Sequence, residues 1–208
     1  MTKAEIIANN LGAIESQLED NNLQNEIERL RKPSFVELEV VKILHDWLEN
    51  KRHSRQCCRV VGESRNGKTV ACNSFRLRHK PEQQQGKAPK VPVVYVQPPQ
   101  ECSSRDLFQV IIEHLKYQIT KGTVSDIRDR TYNVLKTCQV EMLIIDEADR
   151  LKPKTFADVR DIYDRLGIAV VLVGTERLDT VIKKDEQVYN RFRACYTFGT
   201  LTGDLLIK

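Results

Sequence analysis

The chain has six cysteines, Cys57, Cys58, Cys72, Cys102, Cys138 and Cys195, and no two of them form a C-x-x-C pair. That absence counts against a structural zinc site, and the cysteines inside apolar runs read as small core residues. There is no signal-peptide pattern and no apolar run long enough to cross a bilayer. A soluble, cytoplasmic protein with reduced thiols and no membrane partner is therefore expected. No internal repeat is present, which removes repeat architectures. Aromatic residues make up only 6% of the chain and do not interleave with the basic ones. Stacking on single-stranded bases is correspondingly disfavoured.

Hydrophobic residues are 40% of the 208, ample for one domain with an appendage. The net charge of +4 hides an asymmetry. Residues 1–30 carry six acids and two bases, a balance of −4. Residues 31–90 carry fourteen bases and six acids, a balance of +8, and residues 91–208 carry seventeen of each. The basic middle section suggests a polyanion such as DNA or RNA. Residues 1–32 read as a polar, partly helical N-terminal arm, with one weak stripe at Ile6, Ile7, Leu11 and Ile14 and another at Leu23, Ile27 and Leu30. Residues 33–208 read as the main domain.

The stretch Gly62-Glu63-Ser64-Arg65-Asn66-Gly67-Lys68-Thr69 fits G-x-x-x-x-G-K-T, the Walker A or P-loop pattern. An apolar run, Cys57 to Val61, precedes it, and a helical pattern opens at Val70-Ala71-Cys72. This strand–loop–helix context is the one the motif needs. Glycines free consecutive backbone N–H groups to wrap a phosphate chain at a helix N-terminus. Residues 62–70, ending in Val70, are the expected nucleotide-binding segment. Lys68 is assigned to the outer phosphates and the Thr69 hydroxyl to Mg²⁺.

A second stretch, Met142-Leu143-Ile144-Ile145-Asp146-Glu147, is an apolar run closed by two acids. It fits a strand of a parallel sheet buried on both faces, with its acids at the carboxyl end, where α/β proteins bind ligands. Asp146 is expected in the Mg²⁺ shell and Glu147 as the group that polarises the attacking water. ATP and Mg²⁺ are the cofactors these motifs imply.

The remaining pattern alternates strands and helices. Ser34, with Glu37 three residues on, predicts the start of a helix whose apolar face is Val36, Val40, Ile43, Leu44, Trp47 and Leu48. Trp47 reads as core, with a nucleotide base as its alternative neighbour. Residues 80–92 form a polar loop, and Val93 to Val96 a strand stopped by Pro98-Pro99. Ser103 or Ser104 caps a helix extending to Thr120, and another helix covers Ser125 to Thr137. Pro153 starts a helix through Leu166. A strand covers Ile168 to Val173, helical segments flank Asp185, and a last strand covers Ala194 to Phe198. Five strands alternating with helices predict an α/β parallel sheet flanked by helices.

The order of these motifs is similar to that of AAA+ ATPases. The wording of Val60 to Ser64, Leu143 to Leu151, Val173-Gly174-Thr175 and Asn190-Arg191-Phe192-Arg193 resembles the TnsC/TniB ATPases of transposons, most closely TnsC of CRISPR-associated transposons. The resemblance runs from about residue 34 to 199. It implies an AAA+ P-loop NTPase core that, with ATP bound, self-associates into a helical oligomer or ring on double-stranded DNA. It also implies partners: a TniQ-type targeting adaptor and a DDE transposase of the TnsB type, in a prokaryotic cytoplasm and on the nucleoid when bound to DNA. Thr175 matches the sensor 1 position. Arg191 or Arg193 matches an arginine finger given to the neighbouring subunit, with Arg191 favoured. The family usually continues into a helical lid bearing a sensor 2 arginine. Here the sequence stops at Lys208, so the lid is expected to be missing or truncated away.

DNA contacts are expected from the helix after the second strand, at Arg105, Lys116, Thr120 and Lys121, through phosphates and without sequence choice. Arg76, Arg78 and Lys80 compete for that role. Two functions stay open: an ATP-gated regulator bound to DNA, and a DNA-remodelling motor with sustained turnover. A small-molecule kinase is disfavoured because the Asp-Glu pair suits activation of water.

Overall fold

The structure is a computed structural model, and it describes residues 39–118 and 121–199. The N-terminal arm and the Ser34 cap lie outside the described residues, as do Ile119 and Thr120.

Five short strands form one sheet: β1 (Cys58–Val61), β2 (Val93–Val96), β3 (Met142–Ile145), β4 (Ala169–Gly174) and β5 (Ala194–Thr197). Their spatial order is β2-β3-β4-β1-β5, and every pair is parallel. Parallel neighbours need a crossover, so the helices fall on the sheet faces, and the central strands are buried on both sides. Strands β1, β3 and β4 are buried along their whole length, which explains why they read as continuous apolar runs.

Alternation along each strand divides the core in two. Val60, Ile144, Val171 and Val173 meet α1 (Glu39–Ser54) and α2 (Lys68–Arg78) through Leu44, Leu48, Cys72 and Phe75. Val96, Leu143, Ile145, Val170 and Leu172 face the other side. There they pack with α3 (Ser104–His114), α4 (Val124–Thr137), α5 (Thr155–Leu166), α6 (Glu176–Ile182) and α7 (Glu186–Arg191). The strand order brings the β1 loop and the ends of β3 and β4 to one edge, so the two acidic and phosphate-binding motifs meet.

Two helix starts are chemically explicit. Ser103 accepts from the Asp106 N–H while the Asp106 carboxylate accepts from Ser103, and Thr123 and Asp126 repeat the same reciprocal box.

Two expectations are corrected. The buried face of α1 is Val41, Leu44, His45 and Leu48, whereas Ile43 is 52% exposed and Val40 only half-buried. Adjacent valines at 40 and 41 allow two phases of the same helical stripe, and packing against α2 selects the second. Helix α3 ends at His114 rather than Thr120. Lys116 takes a left-handed backbone (φ 60°), its N–H donates to Glu113, and the Tyr117 N–H donates to Ile112. This closure normally announces itself with glycine, and here a lysine occupies the left-handed position. Gln139 (φ 51°) closes α4 in the same way, with Val140 donating to Leu135.

Candidate nucleotide site

The loop between β1 and α2 turns on left-handed residues. Arg65 has φ 64° and Gly67, which caps α2, has φ 94°. A side chain at 67 would be strained, and the turn directs successive N–H groups toward one point at the α2 N-terminus. Gly62 is required for a different reason: a Cβ there would lie 2.6 Å from the Phe198 carbonyl oxygen and 2.7 Å from Asn66 Nδ2. Asn66 itself is buried and donates to that carbonyl at 2.9 Å, tying the loop to the residue after β5.

Lys68 is 7% exposed, and its ammonium donates to the carbonyls of Gly62 and Glu63 and to Asn66 Oδ1. Burial lowers its pKa, opposed by the charges of Asp146 and Asp149. The segment therefore holds a partly desolvated cation among backbone dipoles, as a phosphate site requires. Thr69 and Val70 are exposed in the first turn of α2.

Opposite stands the end of β3. Asp146 is buried, with Oδ1 accepting from the Glu147 N–H at 2.8 Å and Oδ2 from the Tyr95 hydroxyl at 2.5 Å. Burial and the Asp146 charge push the Tyr95 phenol up, so it remains a donor. Glu147 has a left-handed backbone (φ 50°) and caps the 3₁₀ turn Ala148–Arg150. Its carboxylate accepts from Gln97 Nε2 at 2.6 Å and pairs with Arg150, whose guanidinium also donates to the Pro98 carbonyl.

Thr175 caps α6 directly after β4. Its N–H and hydroxyl donate to Asp149 Oδ2 at 3.1 and 2.7 Å. A Cβ at Gly174 would lie 2.1 Å from Asp149 Oδ1, so this carboxylate fills the space a side chain would take. Sequence reasoning did not assign Asp149, Tyr95, Gln97 or Arg150. The first has a visible signal, an acid three residues past Asp146 at the same strand end.

Together these groups line a cleft of about 1050 Å³ that takes in all of residues 62–70, Gln100, Asp146, Glu147, Asp149, Arg150, Thr175 and Arg177. The donor set fits a nucleotide phosphate chain with a hard cation: amides, an ammonium and the Thr69 hydroxyl on one wall, and the Asp146 carboxylate on the other. Among the described residues no cluster of His, Cys, Asp and Glu forms a separate metal centre.

Arg191 and Arg193 do not line this cleft. Both are exposed near the end of α7, and Arg191 pairs with Asp164 at 3.3 Å. Trp47 leans on Tyr196 (5.4 Å between ring centroids) and lies outside the cleft, so it is a packing residue. Of the expected DNA contacts, Arg105 is half-buried and donates to the Gly122 carbonyl at 3.0 Å, whereas Lys116 and Lys121 are exposed. Arg76 donates to Asn73 and Arg78 meets His45, while Lys80 is exposed. No helix among the described residues is long and apolar enough to cross a membrane.

This sheet order, with the P-loop on β1 and the paired acids on β3, defines an AAA+ P-loop NTPase fold. Solved structures agree: the Aeropyrum pernix ORC1 protein in complex with DNA has a TM-score of 0.62 at 16% identity, covering 82% of this chain and 48% of its own. The Aeropyrum pernix ORC2 protein in its ADP form also gives 0.62, at 14% identity over 84% of this chain and 51% of its own. The chain belongs to the family described as Bacterial TniB protein, which it matches over residues 26–199. Among curated relatives it is 27% identical to the Mu-like prophage FluMu DNA transposition protein B of Haemophilus influenzae, over 75% of this chain and 50% of that protein. A potential ATP-binding protein of Staphylococcus aureus is 29% identical over 31% of this chain and 24% of its own length. The chain thus spans half or less of the curated relatives it matches.

Proposed function

We propose that this TniB-family chain is an ATP-dependent regulator of DNA transposition, assembling on double-stranded DNA in its ATP state and hydrolysing ATP to reset. The observation that carries the reading is the cleft itself, where residues 62–70, Asp146, Glu147 and the Asp149–Thr175 pair converge. In it Lys68 and the α2 amides hold the phosphates. The Thr69 hydroxyl and Asp146 hold Mg²⁺, which when bound neutralises phosphate charge. Glu147 orients water, and Thr175 reads the outer phosphate. Arg191 or Arg193 serves a neighbouring subunit, consistent with their position outside their own cleft.

The transposition context rests on the TniB family and on the name of the Haemophilus relative. Within that context we favour a TnsC-like protein of a CRISPR-associated transposon, linking a TniQ-type adaptor to a TnsB-type transposase, and a cytoplasmic location. The exposed Lys116 and Lys121 are the proposed phosphate contacts, with Thr120 between them in sequence, and the charge of Arg105 adds to the same surface. A regulator is favoured over a motor with sustained turnover because the Glu147 carboxylate is engaged by Gln97 and Arg150. A carboxylate held by these two donors suits hydrolysis that waits for a signal.

The test is ATP-dependent assembly on duplex DNA, followed by electron microscopy, for wild type and Lys68→Ala. The wild-type protein is expected to form ordered oligomers with an ATP analogue and the variant none. Indistinguishable oligomers from both would overturn the reading.

A further inference from the structure

Arg59 sits in the middle of β1, the strand that leads into the phosphate loop, and only 6% of it is exposed. Its partners come from separate parts of the chain. Nε donates to Asp179 Oδ1 at 2.6 Å and a terminal nitrogen to Asp179 Oδ2 at 3.3 Å, both on α6. The other terminal nitrogen donates to the Phe192 carbonyl and, at 3.1 Å, to the Arg193 carbonyl. The guanidinium lies 5.6 Å from the Tyr189 ring on α7. One side chain therefore joins the phosphate-loop strand, the helix that begins directly after Thr175, and the turn carrying Arg191 and Arg193. An apolar residue could fill the same space, but with Asp179 left in place it would cost stability by leaving that carboxylate without its partner. It would leave two carbonyls of that turn without a donor and nothing to fix their direction.

We propose that Arg59 is a positioning residue: it fixes the α7–β5 turn in the orientation from which its arginine reaches a neighbouring subunit's nucleotide, in register with the phosphate loop and α6. The proposal rests on the reading above that Arg191 or Arg193 acts in trans. Its geometry accounts for an arginine at this place, because the planar fork serves a carboxylate on one side and carbonyls on the other, which a lysine cannot do.

The test is complementation between full-length variants, with hydrolysis measured in mixtures and nucleotide-analogue affinity measured for each variant alone. Glu147→Gln keeps nucleotide binding and its arginines but cannot hydrolyse in its own cleft. A double variant, Arg191→Ala with Arg193→Ala, keeps its cleft and lacks the finger. Arg59→Met is expected to bind the analogue like wild type and to hydrolyse slower by roughly 10- to 100-fold, the scale of an ångström-sized misplacement. Mixed with Glu147→Gln it recovers, because that partner supplies a well-placed arginine. Mixed with the double variant it does not. Asp179→Asn, at a half-exposed carboxylate, is expected to show the same pattern more weakly, and it carries the test if Arg59→Met does not fold. Loss of analogue affinity in a folded variant, or recovery with the double variant but not with Glu147→Gln, would overturn the proposal. The control mixture of Glu147→Gln with the double variant separates the two claims. If that control fails to recover, the trans reading itself is wrong and the role of Arg59 falls with it.

Discussion

At the scale of single residues the site depends on a few atoms with no spare room. Glu147→Gln keeps the shape of the side chain and its contact with Gln97 but removes the negative charge facing Arg150. ATP binding is expected to survive, while turnover falls by about 10²- to 10⁴-fold, the usual share of a general base. Isothermal titration with steady-state hydrolysis checks both halves, and loss of binding would contradict the role. Gly174→Ala places a methyl where the Asp149 carboxylate lies. It is expected to destabilise by about 1–3 kcal/mol, the scale of overpacking. At roughly 2–4 °C per kcal/mol for a chain of this size, the thermal midpoint falls by several degrees. An unchanged midpoint would mean that Asp149 moves freely and does not hold Thr175. The Walker residues were legible in sequence because phosphate chemistry fixes both type and spacing. Tyr95 and Gln97 were not, and Asp149 was legible only as a further acid after β3, because their roles arise from strands β2, β3 and β4 ending side by side. Sequence spacing does not encode that proximity.

At the scale of elements, sequence patterns located all five strands to within a residue, and β2, β3 and β4 are apolar runs between polar stops. Helix ends were legible at Thr137 and at Leu166, but not at the end of α3. Lys116 and Gln139 adopt the left-handed conformation on tertiary demand, and α3 is six residues shorter than its pattern suggested. The consequence is functional: Lys116 leaves from a turn, and Arg105 is engaged with Gly122. Lys116→Ala with Lys121→Ala is therefore expected to weaken duplex binding more than Arg105→Ala does. The slope of log affinity against log salt should become shallower by about 0.9 for every phosphate that the variant no longer neutralises. Fluorescence anisotropy across a salt series measures this. A larger loss from Arg105→Ala, or a slope that does not change, would move the DNA surface elsewhere. Helix α7 carries a second prediction. Removing the finger arginine should cost about 10³- to 10⁵-fold in hydrolysis, the range for such groups, with nucleotide affinity retained. Comparing Arg191→Ala with Arg193→Ala decides between them, and near-normal hydrolysis in both would remove the finger from this turn.

At the scale of the whole molecule, one topology brings the phosphate loop, Asp146, Glu147 and Thr175 to a single edge, and leaves the exposed Arg191 and Arg193 outside it. Such a subunit is catalytically incomplete by itself on the reading proposed here, so nucleotide, neighbour and DNA become linked. The basic stretch 31–90 was visible from composition alone, but its direction in space was not: Arg52 pairs with Glu49 and Glu141, and Arg59 with Asp179. That part of the basic charge holds the fold together rather than facing a partner. The central claim is that the ATP state is the assembled state and hydrolysis its release. The most direct measurement is the dissociation time from duplex DNA of Glu147→Gln against wild type, both loaded with ATP and Mg²⁺. The account predicts a much longer residence for the variant, which binds nucleotide and cannot reset. Equal or faster dissociation of the variant, with its ATP binding intact, would contradict it.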